Sequence, residues 1–284
     1  MKKIILYTSI FFGILLSSCD KYLDVNTDPN LVYNPSINSL LVTTTYQTGL
    51  NVQRAGDVTS YYVQYLASPN PGSDRDTYQE EDLSETWNEL YGVMTDIREM
   101  MRQAQQRGAN EHLGVAKVLM AMNLNLLINM FGDVPYSQSF QGKENVTPGF
   151  DNQQALHDTT IRLLNEAIEE FDKPTPTITL DPGSDQIHNG SVDAWRKTAY
   201  TLKARFLNQL SETNEYNPTE VLAAVDNGYT SNTDNAALTN FSENSPWNQV
   251  ARDNAGLILD GWLSEQFVDA TNGETFGVTD PACP

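Results

Sequence analysis

The chain has 284 residues, with 37 Asp and Glu against 17 Lys and Arg, and a formal net charge of −20. Such a surface repels phosphate backbones and anionic lipid headgroups, which excludes nucleic acid as a partner and requires any membrane attachment to be covalent. At 39% apolar and 10% aromatic residues the chain is globular rather than disordered.

Met1-Lys2-Lys3 is a basic start, and residues 4–16 are an apolar run. The run is too short for a bilayer-spanning helix, which takes about 20 residues, and has the anatomy of an export signal. It ends in Leu16-Ser17-Ser18-Cys19, which resembles the bacterial lipobox, where the cysteine thiol takes a diacylglycerol and cleavage falls before it. A signal peptide over 1–18 is therefore expected, with lipid on Cys19. Two or three acyl chains anchor a protein stably where one does not. Residues 19–34, with Asp20, Asp24, Asp28 and a helix-stopping Pro29, read as an acidic tether. With Cys19 lipidated, Cys283 has no partner, so an internal disulfide and a zinc site built on cysteines are both excluded. No later segment reads as a membrane span.

Residues 35–284 read as one all-α domain. A short helix is expected over 35–50 and another over 56–67, followed by a Pro/Gly loop at 68–76. Leu83, Trp87, Leu90, Met94, Ile97 and Met101 recur at spacings of four and three, one apolar stripe of a helix that stops near Gly108. A second helix over 111–130 follows at once and should pack antiparallel to the first. Gly132 and Pro135 then turn the chain into an extended segment. A third helix is expected over 151–172, and the Pro/Thr loop after it carries a short strand at 177–180. Ser191 caps a fourth helix, lined by Trp195, Ala199, Leu202, Phe206 and Leu210. Asn217-Pro218 opens a fifth that ends before Gly228. Residues 230–256 read as irregular, and a last helix is expected over 255–267. The paired helices are of tetratricopeptide size, although no clean repeat is legible.

Several stretches together resemble the SusD/RagB family of Bacteroidetes outer-membrane lipoproteins: the lipobox cysteine, YLDVNTDPN at 22–30, WNELY at 87–91, LNLLINMFGDVPYSQSF at 124–140 and WRKTAYTLKARFLNQLS at 195–211. The resemblance covers residues 15 to about 260. Family members are close to twice this length, so the chain looks like an N-terminal half. Where members carry DPR after the last helix, this chain reads DATNGETFGVTDPACP. The resemblance implies tetratricopeptide-like helix pairs with irregular ligand-binding loops and no catalysis. It implies a lipid-anchored outer-membrane protein, exposed at the surface, that captures oligosaccharides or peptides and passes them to a SusC-type TonB-dependent transporter. A tetratricopeptide-like envelope scaffold without a small ligand is the alternative.

Enzyme signatures are absent. There is no G-x-S-x-G, Walker or G-x-G-x-x-G pattern and no H-E-x-x-H. His112, His157 and His188 read as surface residues, and Glu80-Glu81 and Glu169-Glu170 as solvated helix faces. DPGSD at 181–185 lacks the closing Glu of an EF-hand. No cofactor or metal is expected. A sugar site needs an aromatic face for the pyranose C–H surface and amides or carboxylates for its hydroxyls. Trp87 and Trp195 lie on core stripes and are assigned to packing. Trp247, with Asn244 and Asn248, is the candidate ligand platform, and Tyr61 and Tyr62 form a second candidate cluster beside Tyr65.

Overall fold

The apolar stripes fold into paired helices that pack around one central helix. A computed structural model describes residues 35–68, 72, 75, 77–241, 244–248, 261–275 and 277. The expected leader, Cys19 and the acidic tether lie outside the described residues. The body starts at Ile37, and its helices are α1 (Ile37–Tyr62), α2 (Ser84–Arg107), α3 (Asn110–Phe131), α4 (Gln153–Phe171), α5 (Val192–Asn208), α6 (Pro218–Val225) and α7 (Glu265–Asn272). The chain is all-α apart from a two-residue ribbon, in which β1 (Leu66–Ala67) pairs antiparallel with β2 (Trp262–Leu263).

The central helix is α3, which packs against α1, α2, α4 and α5. By length and composition it could cross a membrane, which corrects the expectation that no later segment could. Most of it is buried among the other helices, as the core helix of a bundle is. Gly108, left-handed at φ 65°, ends α2 and lets α3 begin two residues later. So short a connection forces α2 and α3 to run back to back. α3 and α4 approach so closely that a Cβ on Gly114 would lie 2.4 Å from the Phe171 ring.

The first two expected helices are one. The buried stripe Leu41, Thr44, Thr48, Asn51, Ala55 and Val58 runs unbroken through Gly56. The Thr44 and Thr45 hydroxyls donate to their own helix, to Leu40 O at 2.7 Å and Leu41 O at 2.6 Å, which satisfies them inside the core. The expected strand at 177–180 is absent, because the Leu180 N–H donates to Glu111 Oε2 at 2.8 Å rather than to another strand. The helix expected over 255–267 falls in part outside the described residues, and the last described helix starts at Glu265. Ser264 caps it by accepting from the Phe267 N–H at 3.0 Å, and residues 262–263 before it are extended.

The three histidines are not surface groups. His112 is fully buried, with Nε2 3.3 Å from Asn38 Oδ1. His157 is buried against Phe206 O at 2.9 Å. His188 meets the Thr198 hydroxyl at 2.7 Å and stands edge-on to Trp195. Glu170 also departs from its expected solvated face. It is buried and pairs with Lys117 at 3.2 Å and with Lys173, while Glu169 beside it is exposed. A charge taken out of water needs such partners.

The FGDVP segment is a turn held at several points. Gly132 has φ 75° and ψ −124°, a region open to glycine and little else. Val134 and Asp151 then exchange both backbone hydrogen bonds, at 3.2 and 3.0 Å. The Asp151 carboxylate accepts from the Tyr136 and Ser137 N–H groups at 2.8 and 2.7 Å, and the Tyr91 hydroxyl donates to Pro135 O at 2.6 Å.

Candidate functional site

A large, open concavity lies where the chain enters α2. Glu80, Glu81, Asp82, Trp87, Asn88 and Phe131 are among its walls, and it is open, with a volume of about 1000 Å³. Its rim is fixed locally. Asp82 accepts from the Ser84 N–H at 2.9 Å and from the Ser84 hydroxyl, and these bonds hold its carboxyl below the usual range. Arg75 bridges Asp57 and Glu81, each at 2.9 Å, with its guanidinium 5.2 Å from the centre of the Tyr61 ring. Trp87 is half-buried. Its ring stands edge-on to Phe131 at 5.1 Å and tilted against Tyr91 at 4.9 Å. Asn88 is exposed and its amide has no partner among the described residues. One wall is thus an aromatic of fixed orientation, and the other offers carboxylates and a free amide.

That is the chemistry the sequence was searched for, on a residue it had assigned to packing. Trp87 does lie on the α2 stripe and does pack. At the first turn of a helix, however, the stripe runs out of neighbours, and the residue there has one side on the core and another on the cleft. The signal available in sequence was position: Trp87 sits near the start of its helix, with Asn88 beside it and Glu80, Glu81 and Asp82 a few residues before.

Trp247 is placed as an exposed loop aromatic should be, with 48% of its surface accessible. Its ring nevertheless rests on α1 at Gly56, where a Cβ would sit 3.5 Å from Cζ2. Gly49, two helical turns earlier, is covered in the same way by Leu238. These two glycines leave a smooth track on α1 on which Leu238 and Trp247 rest. Between them Val52, Met122, Leu238, Phe241 and Trp247 wall a groove of about 390 Å³. Asn244 and Asn248 come together beside the ring, the Asn248 amide donating to Asn244 Oδ1 at 2.7 Å.

The Tyr cluster divides. Tyr61 is buried at 3% exposure, under Arg75, and presents no face to solvent, which corrects its selection as a ligand contact. Tyr62 is exposed, its ring 5.8 Å from Tyr78, and Tyr65 lies 4.9 Å from Phe267 beside the β ribbon. Trp195 is fully buried, as expected of a packing residue.

A depression of about 280 Å³ shares Met130 with the walls of the Trp87 cleft and Val52 and Met122 with those of the Trp247 groove. Among the described residues no group of His, Cys, Asp and Glu is placed to hold a metal ion.

The family model described as starch-binding and associating with the outer membrane, SusD-like, matches residues 29–281. No curated protein matches the chain. Solved structures do. A SusD/RagB family protein of Bacteroides thetaiotaomicron aligns with TM-score 0.67 and 24% identity, over 81% of this chain and 50% of its own. A SusD-like protein from the same species gives 0.68 and 20%, over 83% and 51%. A SusD homologue of Parabacteroides distasonis gives 0.65 and 18%, over 81% and 47%. The chain spans about half the length of these relatives.

Proposed function

The chain belongs to the SusD-like family, and on that footing we propose that it is a lipid-anchored outer-membrane protein that binds nutrient oligosaccharides or peptides and hands them to a SusC-type TonB-dependent transporter. The observation that carries the binding reading is the open cleft at Trp87. A concave site of roughly 300–1,000 Å³ with an aromatic wall and a few fixed polar groups is the usual form of a small-ligand site. Trp87 supplies the stacking face, and Asn88 with the acidic rim supplies partners for hydroxyls. The Trp247 ring, with Asn248, Asn244 and the exposed Tyr62, stays a second candidate contact. Catalysis forms no part of this reading. The three acids among the cleft's described walls, Glu80, Glu81 and Asp82, lie on one short stretch.

A lipid on Cys19 would hold the domain at the outer membrane, facing the cell surface. The scaffold reading draws on a different feature, the apolar residues Leu222 and Val225 exposed on α6. Affinity electrophoresis against a panel of soluble glycans separates the two. A glycan that retards the wild type but not Trp87→Ala establishes the binding reading. Retardation by no glycan, together with no peptide bound in a matching peptide screen, overturns it in favour of the scaffold.

A further inference from the structure

We propose that a second cavity, between α2 and the 136–140 turn, is a carboxylate-binding site built on Arg98 and Tyr136. Its volume is about 560 Å³, and Arg98, Glu99, Arg102, Met120, Tyr136 and Phe140 are among its walls. It shares none of its lining residues with the Trp87 cleft or the Trp247 groove.

Arg98 is exposed and, like Arg107 and Arg205, meets no carboxylate among the described residues. Acidic residues outnumber basic ones by 37 to 17, and Arg54, Arg75, Arg102, Arg162 and Arg196 each meet a carboxylate. The Arg98 guanidinium has no hydrogen bond or ion pair with any described residue. It lies 5.5 Å from the centre of the Phe140 ring. Stacked there, it keeps its planar edge and several N–H donors for something else. Phe140 is placed for this by an uncommon backbone. Its φ is 65°, the left-handed region that a bulky residue seldom adopts, and its ring stands edge-on to Tyr136 at 6.1 Å.

The Tyr136 hydroxyl also has no partner among the described residues. Burial pushes its pKa up, and Glu166 with it, while Arg162 and Arg98 act in the opposite direction. It is a protonated donor at neutral pH. Glu99 is the one acid in the wall, and Arg102 claims it through two bonds, at 2.7 and 2.6 Å. That pairing brings the Glu99 carboxyl down to about 2. With Glu99 and Arg102 cancelling, the charge left facing the cavity is that of Arg98. In a chain of net charge −20 this pocket is thus positive and aromatic-lined, while the Trp87 cleft is acidic. A fork of N–H donors, one phenol and an apolar wall recognise a carboxylate carried on a compact body. A uronic acid in an acidic oligosaccharide and the C-terminus of a peptide both have that chemistry.

The test is calorimetric titration of the full chain with trigalacturonic acid and with its methyl ester, and in parallel with trialanine and its C-terminal amide. The site predicts binding of an acid and rejection of its neutral partner. The arm that binds identifies the source of the carboxylate. Arg98→Gln should weaken that binding about ten- to a hundredfold, the loss of a charge-assisted hydrogen bond pair. Tyr136→Phe should weaken it less. Trp87→Ala should leave it unchanged, which keeps this site distinct from the cleft of the proposed function. Binding of neither acid, or equal binding by wild type and Arg98→Gln, overturns the proposal. So does loss of acid binding in Trp87→Ala with retention in Arg98→Gln, which would place the carboxylate in the larger cleft.

Discussion

The indole Nε1 of Trp195 donates to Asp185 Oδ2 at 2.7 Å inside the core, where neither residue is more than 1% exposed. The same carboxylate accepts from the backbone N–H groups of Ile187, His188 and Gly190 at 3.0, 3.1 and 2.9 Å. One side chain thus organises the loop before α5 and fixes the helix to it. Asp185→Ala leaves four buried donors without their acceptor. We expect a loss of about 3 kcal/mol in urea unfolding. Unchanged stability would mean that water replaces the carboxylate at no cost.

The contact of Gly114 with Phe171 predicts the opposite kind of failure, from too much volume. A methyl group at 114 has no room unless the ring moves. Gly114→Ala should cost about 1–3 kcal/mol by overpacking. Adding Phe171→Leu should recover part of that loss. If the double variant is no more stable than Gly114→Ala alone, the two residues are not in the contact described.

Trp87 and Trp247 should both contribute to ligand affinity without carrying the fold. Each stacking contact is worth roughly 1–3 kcal/mol, by analogy with bases on aromatic side chains. Removing either ring should therefore weaken binding about ten- to a hundredfold, read by titration with the glycan that the electrophoresis identifies. Trp247→Ala should keep its helical circular dichroism. A variant that binds normally removes that tryptophan from the site.

Acid should destabilise the domain before its carboxylates titrate. Burial lowers the His112 pKa from 6.5 to about 4, against a smaller opposing effect of Asp181. The unfolded chain therefore binds that proton more readily. Stability from keeping His112 neutral is complete above about pH 6.5 and is lost as the pH falls toward 4. The total is on the order of 3 kcal/mol. His188 is shifted in the same direction, also by burial. His112→Gln can keep the bond to Asn38 without titrating, and its unfolding free energy should vary less between pH 7 and 4.5. Identical slopes for wild type and variant would show that His112 charges freely in the fold.

Cys19→Ala should abolish acyl labelling and move the protein from the membrane fraction to the soluble one. Membrane association that survives the substitution would point to a different anchor.

What could be read in the sequence was whatever repeats. The stripe of α2, the stop at Gly108, the Ser191 and Asn217 caps and the FGDVP turn all depend on residues near one another in the chain, and each is where it was expected. What was missed depends on distant partners. His112 is buried because α1 crosses α3 and supplies Asn38, and Glu170 because Lys117 waits on the same central helix. The gap expected between residues 50 and 56 is closed in α1, and the use of Gly56, a seat for Trp247, is set almost two hundred residues later. Trp87 was assigned by its periodicity, and periodicity does not report where a stripe emerges from the core.

The glycine track on α1 has a consequence for how this protein can change. Trp247 and Leu238 rest on a helix face with no side chain at the points of contact, so the fit asks only for a flat partner. The residues that rest on these glycines can be exchanged while α1 stays as it is, so a lineage can revise that surface and inherit the helices unaltered.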